Sequence, residues 1–273
     1  MQLAQLLIRI TLFTVAGSAM NDLKTGCLLL HGYAGRPFEM SYLAADLRAA
    51  GYEVEAPSLP GHDGDPEAFE RSRFEDWLAG AERALSDLRA RCPRVFVAGF
   101  SMGGTLALAL AQRHELAGVS TIAAPVFLCR LFPYFSPDPL LFCSGLLRFC
   151  RPRLAASAPR PESRRIAPWE GYEGAHFVRP LHSFKVAVGK VREGLGRVTA
   201  PILVLHGARD RAVHPDNAWG ILSRVSSARR ELHLLHMHET LTSGHLLVTH
   251  EETRASVSAL VLGFVRSLQG GAL

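Results

Sequence analysis

The segment Gly99-Phe100-Ser101-Met102-Gly103 sets a serine between glycines, directly after the apolar run "RVFVAGF" and directly before "GGTLALALAQRH". A G-x-S-x-G pattern with a strand before it and a helix after it is a nucleophile elbow. The glycines are needed because side chains would collide in so sharp a turn. The serine hydroxyl stands exposed above the sheet, beside a helix N-terminus that favours negative charge. A serine hydroxyl is a weak nucleophile near neutral pH, so it needs a base, and the base needs an orienting carboxylate. In a strand–elbow–helix architecture these follow in the order Ser, then Asp or Glu, then His.

The carboxylate and the base are found by position. After the apolar run "PILVLHG" comes "ARDRAVHP", where Asp210 is the only carboxylate before Pro215. Asp216 competes, but it opens the following helix, where an acidic residue is an ordinary first-turn occupant. After "RELHLLHM" comes "HETLTSGHLLVTH", which places His245 on a Ser-Gly loop before the last helical stretch. Its competitors are His233 inside the strand, His236 and His238 at or just past its end, and His250 near the final helix, where a solvated histidine is expected. The run His233, His236, His238 lacks a carboxylate or cysteine at metal-binding spacing, so no metal is expected. A tetrahedral intermediate also needs donors for its oxyanion. The backbone N–H of Met102 should be one; the N–H of Tyr33, in "HGYAG" after the run "CLLLHG", should be the other, leaving the Tyr33 ring free to line the pocket. His31 reads as structural, and His62 in "PGH" as a turn residue.

These residues need elements that bring them to one edge. "CLLLHG" suits a strand buried on both faces, and "EMSYLAADLRAAGY" follows with helical spacing and a glycine stop. A strand into "EVEAPSLPGH" comes next. The helix "RFEDWLAGAERALSDLRARC" sets Trp77, Ala81, Ala84, Leu85 and Leu88 on one face, and the elbow strand and its helix follow. "LAGVSTIAAP" reads as a further strand. The alternation resumes after about residue 179 with the amphipathic "LHSFKVAVGKVREGL", the strand "APILVLHG", a helix near Asn217–Val225, the strand "RELHLLHM" and a final helix Glu251–Leu268. Repeated strand–helix units call for an α/β protein with a doubly wound, mostly parallel sheet. Residues 26–125 and 180–273 form this core. Residues 126–179, rich in Pro, Phe and Arg, read as a small helical cap inserted between strands, at the carboxyl ends where such sheets bind ligands.

The stretches "LLLHGYAG", "PSLPGH", "EDW", "VAGFSMGG", "ARD" and "SGH", in this order, resemble the serine carboxylesterase and monoacylglycerol lipase group of the α/β-hydrolase superfamily, over roughly Gly26 to Leu268. The resemblance implies attack by Ser101 on an acyl carbonyl, an acyl-enzyme, and its release by water activated at His245, with no cofactor. Short- to medium-chain acyl esters, monoacylglycerols among them, are the expected substrates. A serine aminopeptidase or an acyltransferase on the same three residues is the alternative activity, and a hydrolase-like binding protein the alternative without chemistry. Loss of chemistry would show as a missing member, and none is missing. Relatives with an aspartate nucleophile are excluded by Ser101. The departures from the group lie in the N-terminal extension and the cap, so substrate choice stays open.

Composition bounds what remains. At 273 residues and 48% hydrophobic content the chain can bury a full core. The net charge of +5 is local: between residues 148 and 165 six arginines face one acid, Glu162. That is no face for tracking phosphates, so no nucleic-acid partner is expected. The patch suits either a weak contact with anionic membrane or solubility of the cap. Cap rings Phe127, Phe132, Tyr134, Phe135, Phe142 and Phe149 are expected mostly to pack the cap on the body. An apolar lid favours alkyl esters, each buried methylene adding ~0.8 kcal/mol. Cysteines 27, 92, 129, 143 and 150 are odd in number and form no C-x-x-C pair, which favours a reducing, cytoplasmic setting. Residues 1–25 read as an extension or a leading strand, Ile8–Leu12 alternating with period two. The alternative is an export signal with Arg9 as its charged region. Oligomeric state is left open.

Overall fold

The computed structural model describes residues 24–128, 139–157 and 159–269. The readings of the N-terminal strand and export signal fall outside these residues, as do Phe132, Tyr134 and Phe135.

The chain enters the sheet with β1 (Thr25–Leu30), whose residues are all buried. A 3₁₀ turn, Pro37–Met40, leads into α1 (Ser41–Ala49), so the helix expected from Glu39 starts two residues later. Then come β2 (Glu53–Glu55), α2 (Pro66–Arg71), α3 (Phe74–Arg89), β3 (Arg94–Phe100), α4 (Met102–Ala111) and β4 (Gly118–Ile122). The segment after β4 carries α5 (Pro139–Cys150), β5 (Arg153–Ala155), α6 (Pro161–Ile166) and β6 (Ala175–Phe177), with β5 and β6 paired antiparallel. Next are α7 (Val178–Glu193), β7 (Ile202–Gly207), α8 (Asp216–Leu222), β8 (Arg230–Leu235) and α9 (Arg254–Ser267). Two expected helices are shorter than read: α8 ends at Leu222, and Glu251–Thr253 form a turn ahead of α9.

The main sheet has six strands in the order β2-β1-β3-β4-β7-β8, all neighbours parallel. Alternation along each strand divides the core between two faces. Leu28, Leu30, Val95 and Val97 pack with Trp77, Leu85, Leu106 and Phe184 on one side. Cys27, Leu29, Phe96 and Ala98 pack with Leu43, Leu47, Val257 and Phe264 on the other. The strand order reverses between β1 and β3, the crevice at which doubly wound sheets bind ligands. Ser101 follows β3 and the Tyr33 loop follows β1, so the topology brings nucleophile and oxyanion loop together.

The rings expected to pack the 126–179 segment on the body divide, with Phe127 buried in the core. Phe142 and Phe149 do not pack it on the body; they are 67% and 71% exposed, with Leu146 between them at 71%. The spacing explains this. Residues 142, 146 and 149 share one helical face, while the opposite side of α5 meets α7, where Ser144 Oγ bonds His182 Nδ1 at 3.0 Å and Lys185 Nζ donates to the Leu141 carbonyl at 2.6 Å.

Candidate active site

The elbow is as tight as its glycines require. A Cβ on Gly99 would lie 2.0 Å from the Gly103 carbonyl oxygen, and one on Gly103 would lie 2.0 Å from that of Leu30. Ser101 itself sits at φ +50°, ψ −117°, a conformation costing of order 1–3 kcal/mol for a residue with a side chain. It is held there by its N–H donating to the Ile122 carbonyl at 2.8 Å and by its own carbonyl accepting from Gly104 at 2.9 Å.

Ser101, His245 and Asp210 form one hydrogen-bonded chain. Ser101 Oγ lies 2.9 Å from His245 Nε2, and His245 Nδ1 lies 2.7 Å from Asp210 Oδ2. A carboxylate can only accept, so the proton sits on Nδ1 and Nε2 is left to accept from the serine. The other oxygen of Asp210 accepts from the amides of Ala212 and Val213 at 2.8 and 2.9 Å, which fixes the carboxylate. Burial works against the imidazolium; the negative charges of Asp210 and Glu39 more than offset this, so the His245 pKa stands above the ordinary histidine value.

The two amides expected to receive an oxyanion can be located as well. Met102 is the first residue of α4, where helix N–H groups have no intrahelical partner. Tyr33 lies in the loop after β1. Among the described residues neither amide is taken up by another protein group. The Tyr33 ring lines the cavity but is not free: its hydroxyl donates to the Phe177 carbonyl at 2.8 Å and the ring stacks on Phe184. His31 is structural, accepting from Leu59 N at 3.2 Å; burial lowers its pKa to about 4. His62 is more than a turn residue. It is fully buried, edge-on to the His31 ring at 4.8 Å.

Other residues escape sequence reasoning. His250, expected to be solvated, is fully buried with Nε2 3.0 Å from Glu239 Oε1. Glu239 also accepts from Leu241 N at 2.5 Å, from Thr242 N at 2.9 Å and from the Thr242 hydroxyl. This carboxylate therefore shapes the loop that delivers His245. Arg211 N donates to the Ser243 carbonyl at 2.9 Å, tying that loop to the one bearing Asp210. His236 and His238 lie beyond β8, with His238 exposed beside Glu252. Among the described residues no group of His, Cys, Asp and Glu could hold a metal ion.

Ser101 and His245 open onto a cavity of about 1180 Å³ between the body and the 139–177 segment. Its walls are largely apolar, with Leu141, Leu154, Phe177, Leu181 and Leu246 among them. Arg164 also lines the cavity, lies over the Trp169 ring at 4.8 Å and pairs with Glu173.

Comparison with known proteins finds relatives of the same fold. The family described as Serine aminopeptidase, S33, matches residues 21–243. The chain is 32% identical over 208 residues to a thermostable monoacylglycerol lipase of Bacillus sp. (strain H-257), covering 76% of this chain and 79% of that one. A solved structure from work on LipS and LipT, two metagenome-derived lipolytic enzymes, superposes at TM-score 0.76 and 26% identity over 90% of this chain and 94% of the other. A soluble variant of monoglyceride lipase from Saccharomyces cerevisiae superposes at TM-score 0.72 and 18% identity, over 91% and 88% respectively.

Proposed function

This chain belongs to the serine aminopeptidase S33 family of the α/β-hydrolases, and from that membership we propose that it hydrolyses carboxylic esters of medium-length acyl chains, monoacylglycerols among them, through an acyl-enzyme on Ser101. The observation that carries the reading is the unbroken Ser101–His245–Asp210 chain at the base of a large, mostly apolar cavity. Ser101 Oγ attacks the ester carbonyl while its proton passes to His245 Nε2. The resulting oxyanion is received by the amides of Tyr33 and Met102. Collapse expels the alcohol, which takes its proton from His245, and water then attacks the acyl-enzyme by the same route with His245 as base.

The ester reading is favoured over an aminopeptidase by the state of the cavity's carboxylates. A peptide amine would need a free acidic side chain, and the two acids that line the cavity among the described residues are engaged: Glu39 by Gly32 and Trp169, Glu173 by Arg164. We also read residues 126–179 as a cap that sets acyl length. The exposed face of α5, with Phe142, Leu146 and Phe149 beside Arg148 and Arg151, is read as its contact with an anionic lipid surface, apolar rings entering and cations facing headgroups.

A series of chromogenic esters from acetyl to palmitoyl, with an amino-acid anilide alongside, tests the substrate class. kcat/KM should rise through about six to twelve carbons, each methylene worth at most a few-fold at ~0.8 kcal/mol, and the anilide should be inert. Fastest turnover on acetyl esters with steady decline, or faster cleavage of the anilide, would contradict the reading.

A further inference from the structure

Between the oxyanion loop and the segment after β4 lies a buried acid outside the Ser101–His245–Asp210 chain. Glu39, in the 3₁₀ turn after β1, is 1% exposed and lines the cavity. One oxygen accepts from Gly32 N at 2.6 Å and the other from the Trp169 indole at 2.6 Å. Both bonds have the short length of charge-assisted pairs. A carboxylate in this place costs desolvation, and burial raises the Glu39 pKa to about 7 against the pull of Gly32, Trp169 and His245.

The bond to Trp169 is part of a longer seam. Tyr172 N donates to the Ala34 carbonyl at 2.9 Å, Gly35 and Gly171 form an isolated bridge, and the Tyr33 hydroxyl holds the Phe177 carbonyl. The oxyanion loop 32–35 is thus bound on one side to 169–177, with Ala34 held at φ +57°. Glu39 and His245 both line the cavity, and the charge of each favours the charged form of the other.

We propose that Glu39 is a positioning residue that locks the oxyanion loop to Trp169 and gives the protonated His245 a second negative neighbour after Asp210. The inference rests on the serine ester hydrolase reading above. Its logic is geometric first: an acceptor with two donors, one on the loop and one on the cap, sets the position of each by the other. Its electrostatic part follows from what surrounds it. His245 faces it from the 239–253 loop with Asp210 behind; Arg164 lies on the Trp169 ring and is paired with Glu173; Arg36 precedes the turn. A negative Glu39 favours the imidazolium and opposes the developing oxyanion, and burial, which raises its pKa, weighs against that negative form.

Glu39→Gln keeps the shape, removes the charge, and offers one acceptor where two donors require it. With a soluble acetyl ester, whose acyl group is too short to report on chain binding, kcat should fall about tenfold with KM within two- to threefold. The acid limb of kcat/KM should move to lower pH, because without Glu39 the His245 proton is lost more readily. Trp169→Phe, which leaves the carboxylate in place and cuts its tie to the cap, should lower kcat several-fold, and it decides the matter if the Gln variant does not fold. Wild-type kcat and an unmoved acid limb in folded Glu39→Gln, or wild-type kcat in Trp169→Phe, would overturn the proposal. Failure of the underlying reading would look different: the wild-type protein itself would neither turn over the ester nor take a fluorophosphonate label.

Discussion

At the scale of single residues, the catalysis proposed for Ser101 depends on a base that is unprotonated at Nε2, and His245 Nε2 lies 2.9 Å from its Oγ. His245→Ala should therefore cost at least ~10³-fold in kcat, as loss of a base that acts as a unit with its serine does. His236→Ala should leave steady-state kinetics unchanged. His250→Ala belongs to a different class, because it empties a fully buried site and leaves the half-buried Glu239 carboxylate short of one donor, a loss of about 1–3 kcal/mol. It should lower the melting temperature and reduce kcat only several-fold. If His250→Ala were the inactive variant and His245→Ala the active one, the placement of the base would be wrong. Asp210 was legible in the sequence because one short loop offered one carboxylate, and His245 because its loop lay just past the last strand. Glu39 and His250 were not legible, since nothing in their neighbours in sequence marks a buried acid held by a tryptophan 130 positions away or a histidine held by Glu239.

At the scale of elements, β1, β3, β4 and β7 could be read because strands covered on both faces are nearly continuous apolar runs. Helix ends were read less well. Caps and turns decide them locally, as in the Pro37–Met40 turn before α1 and the Glu251–Thr253 turn before α9. The segment between β4 and α7 was legible as a helical break in the alternation but not in its smaller elements, because β5, α6 and β6 are only three to six residues long. The face that α5 turns outward carries its own prediction. Replacing Phe142, Leu146 and Phe149 together by serine should abolish binding to phosphatidylglycerol vesicles and leave hydrolysis of a soluble ester within about twofold. Neutralising Arg148 and Arg151 should weaken the same binding by about 1 kcal/mol per arginine, and added salt should reduce binding of the unaltered protein. Undiminished co-sedimentation of the triple variant would contradict the lipid contact.

At the scale of the whole molecule, this carboxylic ester hydrolase puts its chemistry where the sheet order reverses. Three strand-end loops, after β3, β7 and β8, deliver Ser101, Asp210 and His245, and the loop after β1 delivers Tyr33. The segment after β4 closes over them, and its backbone bridge at Gly35 and Gly171 joins it to the oxyanion loop. Strand order, being set by packing between distant parts of the chain, was not legible beyond the expectation of a doubly wound sheet. The measurement that tests the central claim most directly is turnover of a medium-chain chromogenic ester by purified wild-type protein and by Ser101→Ala, each shown to be folded by circular dichroism. The account predicts ester turnover and a covalent fluorophosphonate adduct on Ser101 in the wild-type protein, and neither in the variant. Undiminished turnover in folded Ser101→Ala would contradict it.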